Sequence, residues 1–125
     1  MKSDNIIQQK SFAFAIKIVD LYKYLINEKK EFVLSKQLLR SGTSIGANIE
    51  ESIGGQSDKD FLHKISISYK EARESIYWLK LLRETNYLNV EKAESLIADA
   101  EEICKILGKI QITLKNRIAL KEQNS

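Results

Sequence analysis

Residues 90–120 read VEKAESLIADAEEICKILGKIQITLKNRIAL. Ala93, Ile97, Ala100, Cys104, Leu107, Gln111, Leu114 and Ile118 recur at alternating spacings of four and three, which places them on one face of a helix. The stretch begins acidic (Glu91, Glu94, Asp99, Glu101, Glu102) and ends basic (Lys105, Lys109, Lys115, Arg117, Lys121), an order that complements the helix dipole. The chain contains no proline, so nothing interrupts so long a helix from within.

Upstream lies Asn86-Tyr87-Leu88-Asn89, a turn in which Asn89 is placed to N-cap the helix that follows. Before it, residues 58–85 carry a seam of Leu62, Ile65, Tyr69, Ala72, Ile76 and Leu79. Gly54-Gly55-Gln56-Ser57 is the preceding break. Either glycine can supply a left-handed C-cap, and Ser57 with Asp60 three residues on forms a near capping box. Residues 33–53 present Leu34, Leu38, Ile45 and Ile49 on one face, together with the small residues Ser41, Gly42, Thr43, Ser44, Gly46 and Ala47. A glycine costs a helix about 1 kcal/mol, so two in one helix imply close backbone approach by a neighbour. Residues 7–28 align Ile7, Phe14, Ile18, Leu21 and Leu25, with Ser11 filling the gap. The charged run Asn27-Glu28-Lys29-Lys30-Glu31, too costly to bury, ends that segment.

Four comparable amphipathic segments joined by short connections must alternate in direction. The expected fold is therefore all-α: an antiparallel up-and-down four-helix bundle with helices at about 7–28, 33–53, 58–85 and 90–120, forming a single domain over residues 1–125.

Composition narrows the function. Hydrophobic residues make up 43% and charged residues 30% of the 125, as in a soluble globular chain. The formal net charge is only +3, which permits nucleic acid without demanding it. One cysteine, Cys104, excludes an intrachain disulfide and fits a reducing compartment. The start, Met1-Lys2-Ser3-Asp4, lacks the apolar core of a signal peptide, and no apolar run reaches the roughly 18 residues of a membrane span. A cytoplasmic protein without membrane contact is expected. With one histidine, His63, the paired Glu-x-x-His set of a di-iron bundle cannot form. Gly42-Thr43-Ser44-Ile45-Gly46 lacks the Gly-Lys-Ser/Thr ending of a phosphate loop. No base stands ready for a nucleophile. No enzyme, cofactor, metal or small-molecule substrate is expected. A helix-turn-helix reading of residues 38–49 places Glu50 and Glu51, and no Lys or Arg, on the recognition helix, the wrong charge for phosphates.

Two surplus features suggest binding. Phe12, Ile16 and Val19 lie well around the first helix from its core stripe, and Ile67, Trp78 and Leu82 lie to one side of the third helix's seam. Together they are candidates for an interface between copies. Lys59, Lys70, Arg73 and Lys80 form a basic stripe on the third helix that also carries His63, Ser66 and Tyr77. Lys36 and Arg40 form a second basic pair one turn apart. These six cations are candidate nucleic-acid contacts. Asn48, at the core rim beside Gln37, Ser41, Ser44 and Glu51, reads as a register-fixing amide, with Arg40 or Glu51 as partner.

Arg40, Ser44, Ile45, Asn48, Ile49 and Glu51 resemble the Arg…Ser-Ile-x-x-Asn-Ile-x-Glu signature of the four-helix bundle family encoded in 23S rRNA intervening sequences, also called the S23 ribosomal protein family. The likeness continues through Phe61-Leu62, Glu74, Trp78-Leu79 and Asn86-Tyr87-Leu88. Many members have Glu-Gly where this chain has Glu51-Ser52, and Gly-Ser where it has Lys70-Glu71. The resemblance implies a bacterial cytoplasmic bundle with no attached enzymatic activity that assembles with itself, as a ring and by expectation a pentamer. The related accessory variability proteins of diversity-generating retroelements form such rings and engage nucleic acid and a reverse transcriptase. Two readings stand: a homo-oligomeric module binding RNA or a ribonucleoprotein, and a protein-interaction scaffold with no nucleic-acid role.

Overall fold

The computed structural model describes the backbone of residues 2–124 and the side chains of residues 6–124; Met1 and Ser125, the ends of the expected domain, lie outside the described residues. Four helices follow in order: α1 Lys2–Asn27, α2 Leu34–Ile53, α3 Asp58–Glu84 and α4 Val90–Gln123. Each matches an expected segment, with α1 and α4 extended at their outer ends. No strand occurs among the described residues.

Cross-helix bonds fix the directions. Gln8 near the start of α1 donates to Glu50 near the end of α2 at 3.1 Å. Lys64 of α3 reaches back to Glu51 at 3.0 Å. Arg117 and Lys121 at the end of α4 bracket Asp58 at the start of α3, at 3.4 and 2.8 Å. Lys10 and Lys17 of α1 pair with Glu102 and Asp99 of α4 at 2.9 and 2.8 Å. The bundle is thus up-down-up-down. Each helix packs on its sequence neighbour, α1 closes more sparsely against α4, and the diagonal backbones stay further apart.

The core forms where the apolar stripes meet. Ile7, Phe14, Ile18, Leu21 and Leu25 of α1 are buried, as are Leu38, Ile45 and Ile49 of α2 and Ala93, Ile97, Ala100, Cys104, Leu107 and Leu114 of α4, whereas Gln111 in the same row is only half-buried. Burying each large side chain contributes about 1.5–3 kcal/mol. The glycines of α2 serve the close approach their spacing suggests. A Cβ on Gly42 would stand 2.9 Å from Ile18 Cγ1 and Cγ2, and one on Gly46 would stand 3.4 Å from Ser11 Oγ.

The seam of α3 differs from expectation. Ile65, Ser68, Ala72, Ser75, Leu79 and Leu82 are buried, whereas Leu62, Tyr69 and Ile76 are only half-buried against them. The helix is rotated so that two serines face α2. Ser75 Oγ lies 2.9 Å from Ser41 Oγ, and Ser68 Oγ donates to the Ile45 carbonyl at 2.9 Å, so the buried hydroxyls are satisfied. The same rotation corrects one interface candidate. Leu82 is fully buried in the chain's own core and cannot face another copy.

The connections bring two further corrections. Glu31 does not stay in water with the rest of its charged run; it is 7% exposed. Its carboxylate accepts from the backbone N–H groups of Val33 (3.0 Å), Leu34 (2.8 Å) and Ser35 (2.6 Å), while Ser35 Oγ donates to the Glu31 carbonyl at 2.8 Å. Burial alone would raise the acid's pKa; the three amides outweigh it and hold it below the ordinary range. Glu31 thereby satisfies the orphan donors at the start of α2, a place where Val33 offers no side-chain cap. Nor does a glycine supply a left-handed cap. Gly54 has φ −81°, and the left-handed residues are Lys30 and Asn86, in the turns before α2 and α4. Gly55 is needed for room instead, since a Cβ there would meet the Ser52 carbonyl oxygen at 3.0 Å. The remaining caps follow expectation. Ser57 Oγ accepts from Asp60 N at 3.1 Å, and Asn89 Oδ1 from Lys92 N at 2.8 Å.

Candidate functional site

Unneutralised charge is concentrated between α3 and α4. There the outer flanks of the two helices diverge into an open groove of about 750 Å³. Arg73 and Lys80 rise from α3, with Lys105 and Lys109 opposite on α4. One carboxylate, Glu101, shares the groove. None of the four cations makes an ion pair among the described residues. The groove thus carries a local excess of three positive charges, where it can hold an anion.

The walls are aromatic and aliphatic. Tyr69 and Ile76 are half-buried against the core, while Tyr77 is 58% exposed at the rim. The Tyr77 ring meets the Trp78 indole edge-on, with centroids 5.0 Å apart and planes at 73°. Cys104 lines the groove from the core side. Burial pushes its thiol pKa up, Glu101 adds to this, and Arg73 only partly opposes it, so the sulfur stays protonated and non-nucleophilic. His63 is exposed, and no three of His, Cys, Asp and Glu come together as a metal site among the described residues.

Three other surface clefts cancel their own charge. The cleft between α1 and α4 near Asp20 and Lys92 holds one charge of each sign. The next one along the same seam contains the Lys10–Glu102 and Lys17–Asp99 pairs. At the far end, Asp58 and Glu122 face Lys121 and Lys59. Lys121 first, and Arg117 with it, hold the Asp58 carboxyl below its ordinary range.

The six candidate cations separate accordingly. Arg73 and Lys80 line the groove, and Lys70 is exposed on the preceding turn of α3. Lys59 pairs with Glu122 at 3.2 Å. Arg40 is engaged between α2 and α3: its guanidinium bonds Glu71 at 3.1 Å and also grips Glu74. Glu74 above all, then Glu71, push the Arg40 pKa up against its desolvation. Arg40 is thus a strut and not a spare cation. Lys36 is exposed on α2, diagonally across the bundle from α4, and does not line the groove. Lys105 and Lys109 are not marked as site residues by the sequence, where their spacing reads only as dipole complement. Their i, i+4 register opposite Arg73 and Lys80 appears only once the flanks of two helices are paired.

Among the signature residues, Ile45 and Ile49 are core, while Ser44 Oγ and Asn48 Nδ2 donate to the carbonyls of Arg40 and Ser44 in their own helix. Asn48 is half-buried and bonds neither Arg40 nor Glu51. Glu51 pairs instead with Lys64. Cross-helix register falls to Arg40 and the acids of α3. Trp78 Nε1 donates to Glu74 at 2.9 Å, the leading cause of that carboxyl's lowered pKa, with Arg40 adding to it. Trp78 and Ile67 are half-buried on α3, whereas Phe12 and Ile16 stand exposed on α1 with Val19 partly covered. Helices α1 and α3 stand diagonally across the bundle, so the interface candidates form separate surfaces.

No helix among the described residues is long and apolar enough to cross a membrane. No curated protein matches the chain. A solved structure of a protein of unknown function from the S23 ribosomal protein family of Bacteroides thetaiotaomicron VPI-5482 is 54% identical, covering 87% of this chain and 97% of its own, with a TM-score of 0.86. At that identity the likeness extends beyond fold to the sequence that builds it. The profile described as 23S rRNA-intervening sequence protein matches residues 3–109, which span most of α1 through the groove-lining turns of α4. The chain belongs to the 23S rRNA-intervening sequence protein family.

Proposed function

We propose that this protein is a non-catalytic binding module that self-associates and captures RNA, free or within a ribonucleoprotein, in the α3–α4 groove. The observation that carries this reading is the concentration of Arg73, Lys80, Lys105 and Lys109 against Glu101 alone. A carboxylate partner would neutralise such a cluster in a purely structural role. A polyanion from outside gains from every cation left without one. The exposed Phe12 and Ile16 support association of copies through the outer face of α1. We take the assembly to be a closed ring, with a pentamer as the expected size, by analogy with the accessory variability proteins to which the family is expected to be related.

Binding of a labelled RNA at rising salt tests the reading. Four phosphate contacts predict a slope of log K on log salt of about −2 to −3, and each charge reversal among the four should reduce it by about 0.7. No shift of RNA even at low salt rejects the proposal. The second reading, a protein scaffold without nucleic acid, draws on the same exposed Phe12–Ile16 face. Partners that survive nuclease treatment and charge reversal in the groove would favour it.

A further inference from the structure

The groove has more than charge, and its other features narrow what fills it. We infer that it receives single-stranded RNA, with one base laid on the exposed face of Tyr77 and the backbone phosphates drawn along Lys105 and Lys109. This rests on the RNA-binding reading and specifies which form of RNA.

Three observations converge. First, the groove combines cations with tyrosine rings and the aliphatic side chains of Ile76 and Ile112. A duplex offers its binder phosphates and sugars and keeps its base faces stacked inside. Only an unpaired strand has flat apolar faces to set against such walls. An acidic peptide satisfies the cations, but its charged units carry no aromatic face to stack on Tyr77, whereas each nucleotide has one.

Second, Tyr77 is held ready. Its ring is exposed, and a T-shaped contact with Trp78, centroids 5.0 Å apart, supports it. Trp78 is in turn pinned by its indole N–H to Glu74, and Glu74 by Arg40. The rim aromatic thus stands at the end of a chain of contacts that begins on another helix. A rigid, exposed ring loses little freedom when a base stacks on it.

Third, Gly108 has no internal reason to be glycine. Gly42, Gly46 and Gly55 each meet a close neighbour, but a Cβ on Gly108 would find nothing within 4 Å. A glycine inside a helix weakens it, so packing within this chain does not explain the residue. It sits in the groove wall between Lys105 and Lys109 and opens the α4 backbone to the occupant. Those two lysines, four residues apart, are about 6 Å apart along the helix axis, close to the step between successive phosphates of an extended strand.

The test compares a labelled oligo(U) RNA, the same RNA annealed to its complement, inorganic polyphosphate and poly-glutamate, all on the full chain. Oligo(U) should bind most tightly. Tyr77→Ala should weaken it about tenfold and leave polyphosphate unchanged. Gly108→Leu should weaken it comparably, with an unchanged far-UV circular dichroism spectrum of that variant showing that the helix is intact. If duplex and polyphosphate bind as well as oligo(U) and Tyr77→Ala changes nothing, the stacking inference is wrong while the groove remains a polyanion site. Tightest binding of poly-glutamate, again insensitive to Tyr77, assigns the groove to an acidic protein and overturns the inference. If no RNA binds at any salt, the underlying RNA reading fails as well.

Discussion

Gly42 of α2 lies against the branched stem of Ile18 on α1, so that an added Cβ would stand 2.9 Å from both Ile18 Cγ1 and Cγ2. Two effects compete when that hydrogen becomes a methyl. Alanine gains about 1 kcal/mol of helix propensity over glycine. Overpacking a close-packed site costs about 1–3 kcal/mol, and here the atoms that must yield belong to a β-branched residue with little rotamer freedom. Gly42→Ala should therefore destabilise the bundle by about 1–2 kcal/mol in denaturant unfolding. Gly108→Ala, with open space around its Cβ, should stabilise it by up to about 1 kcal/mol. Equal effects of the two substitutions would refute the packing argument.

Glu31 carries a pH dependence whose sign is set by its amide partners. Its folded pKa lies below the ordinary 4.5, so it contributes stability above that value and loses it as pH falls through the folded pKa. Glu31→Gln puts an NH2 group where one oxygen now accepts backbone N–H bonds, which should cost about 1–2 kcal/mol near neutral pH. Measured near pH 3, the gap between wild type and variant should shrink. Asp58 and Glu74 are also lowered, so the difference between the two proteins, and not the wild-type curve alone, isolates Glu31. A gap that widens in acid would overturn the assignment.

How far the sequence reveals this molecule depends on side-chain size. The helices were legible because large residues such as Phe14, Ile45 and Leu107 cannot recur on one face without burying it. Ser68 and Ser75 were missed in the seam because a serine buried by close helix approach looks, residue by residue, like one in water. That error turned α3 and made Leu82 look peripheral. Half of the groove was readable, since Arg73, Tyr77 and Lys80 share one face of one helix. Lys105 and Lys109 were not, because periodicity along α4 does not say which flank of α3 runs beside it. Glu31 was hidden by its neighbours: a charged run signals solvent, and only the three-dimensional turn brings backbone amides to its last member.

Leu82 and Phe12 give the sharpest contrast between core and surface. Leu82 is 0% exposed and Phe12 is 69% exposed. Leu82→Ala removes buried volume and should cost about 2–5 kcal/mol. Phe12→Glu should change the unfolding free energy of the isolated chain by no more than about 0.5 kcal/mol. It should instead shift sedimentation toward smaller species if the outer face of α1 joins copies. A wild type that sediments as a monomer at high concentration would remove self-association from the proposal.

Arg40 and Arg73 are both half-exposed or exposed arginines, yet they should respond differently to the same substitution. Arg40 is held by Glu71 and Glu74 across the α2–α3 seam, whereas Arg73 has no carboxylate partner among the described residues. Because half of the Arg40 side chain remains in water, its ion pairs are screened and Arg40→Ala should cost no more than about 1 kcal/mol of stability. Loss of Arg40 leaves the Glu74–Trp78 bond standing, so the fold and the groove's charge both persist. The salt slope of RNA binding should then be unchanged in Arg40→Ala, while Arg73→Ala should reduce it by about 0.7 with little effect on stability. A matching loss of slope in both variants would mean that the anion follows the face of α2 as well, and the α3–α4 groove would not be the whole site.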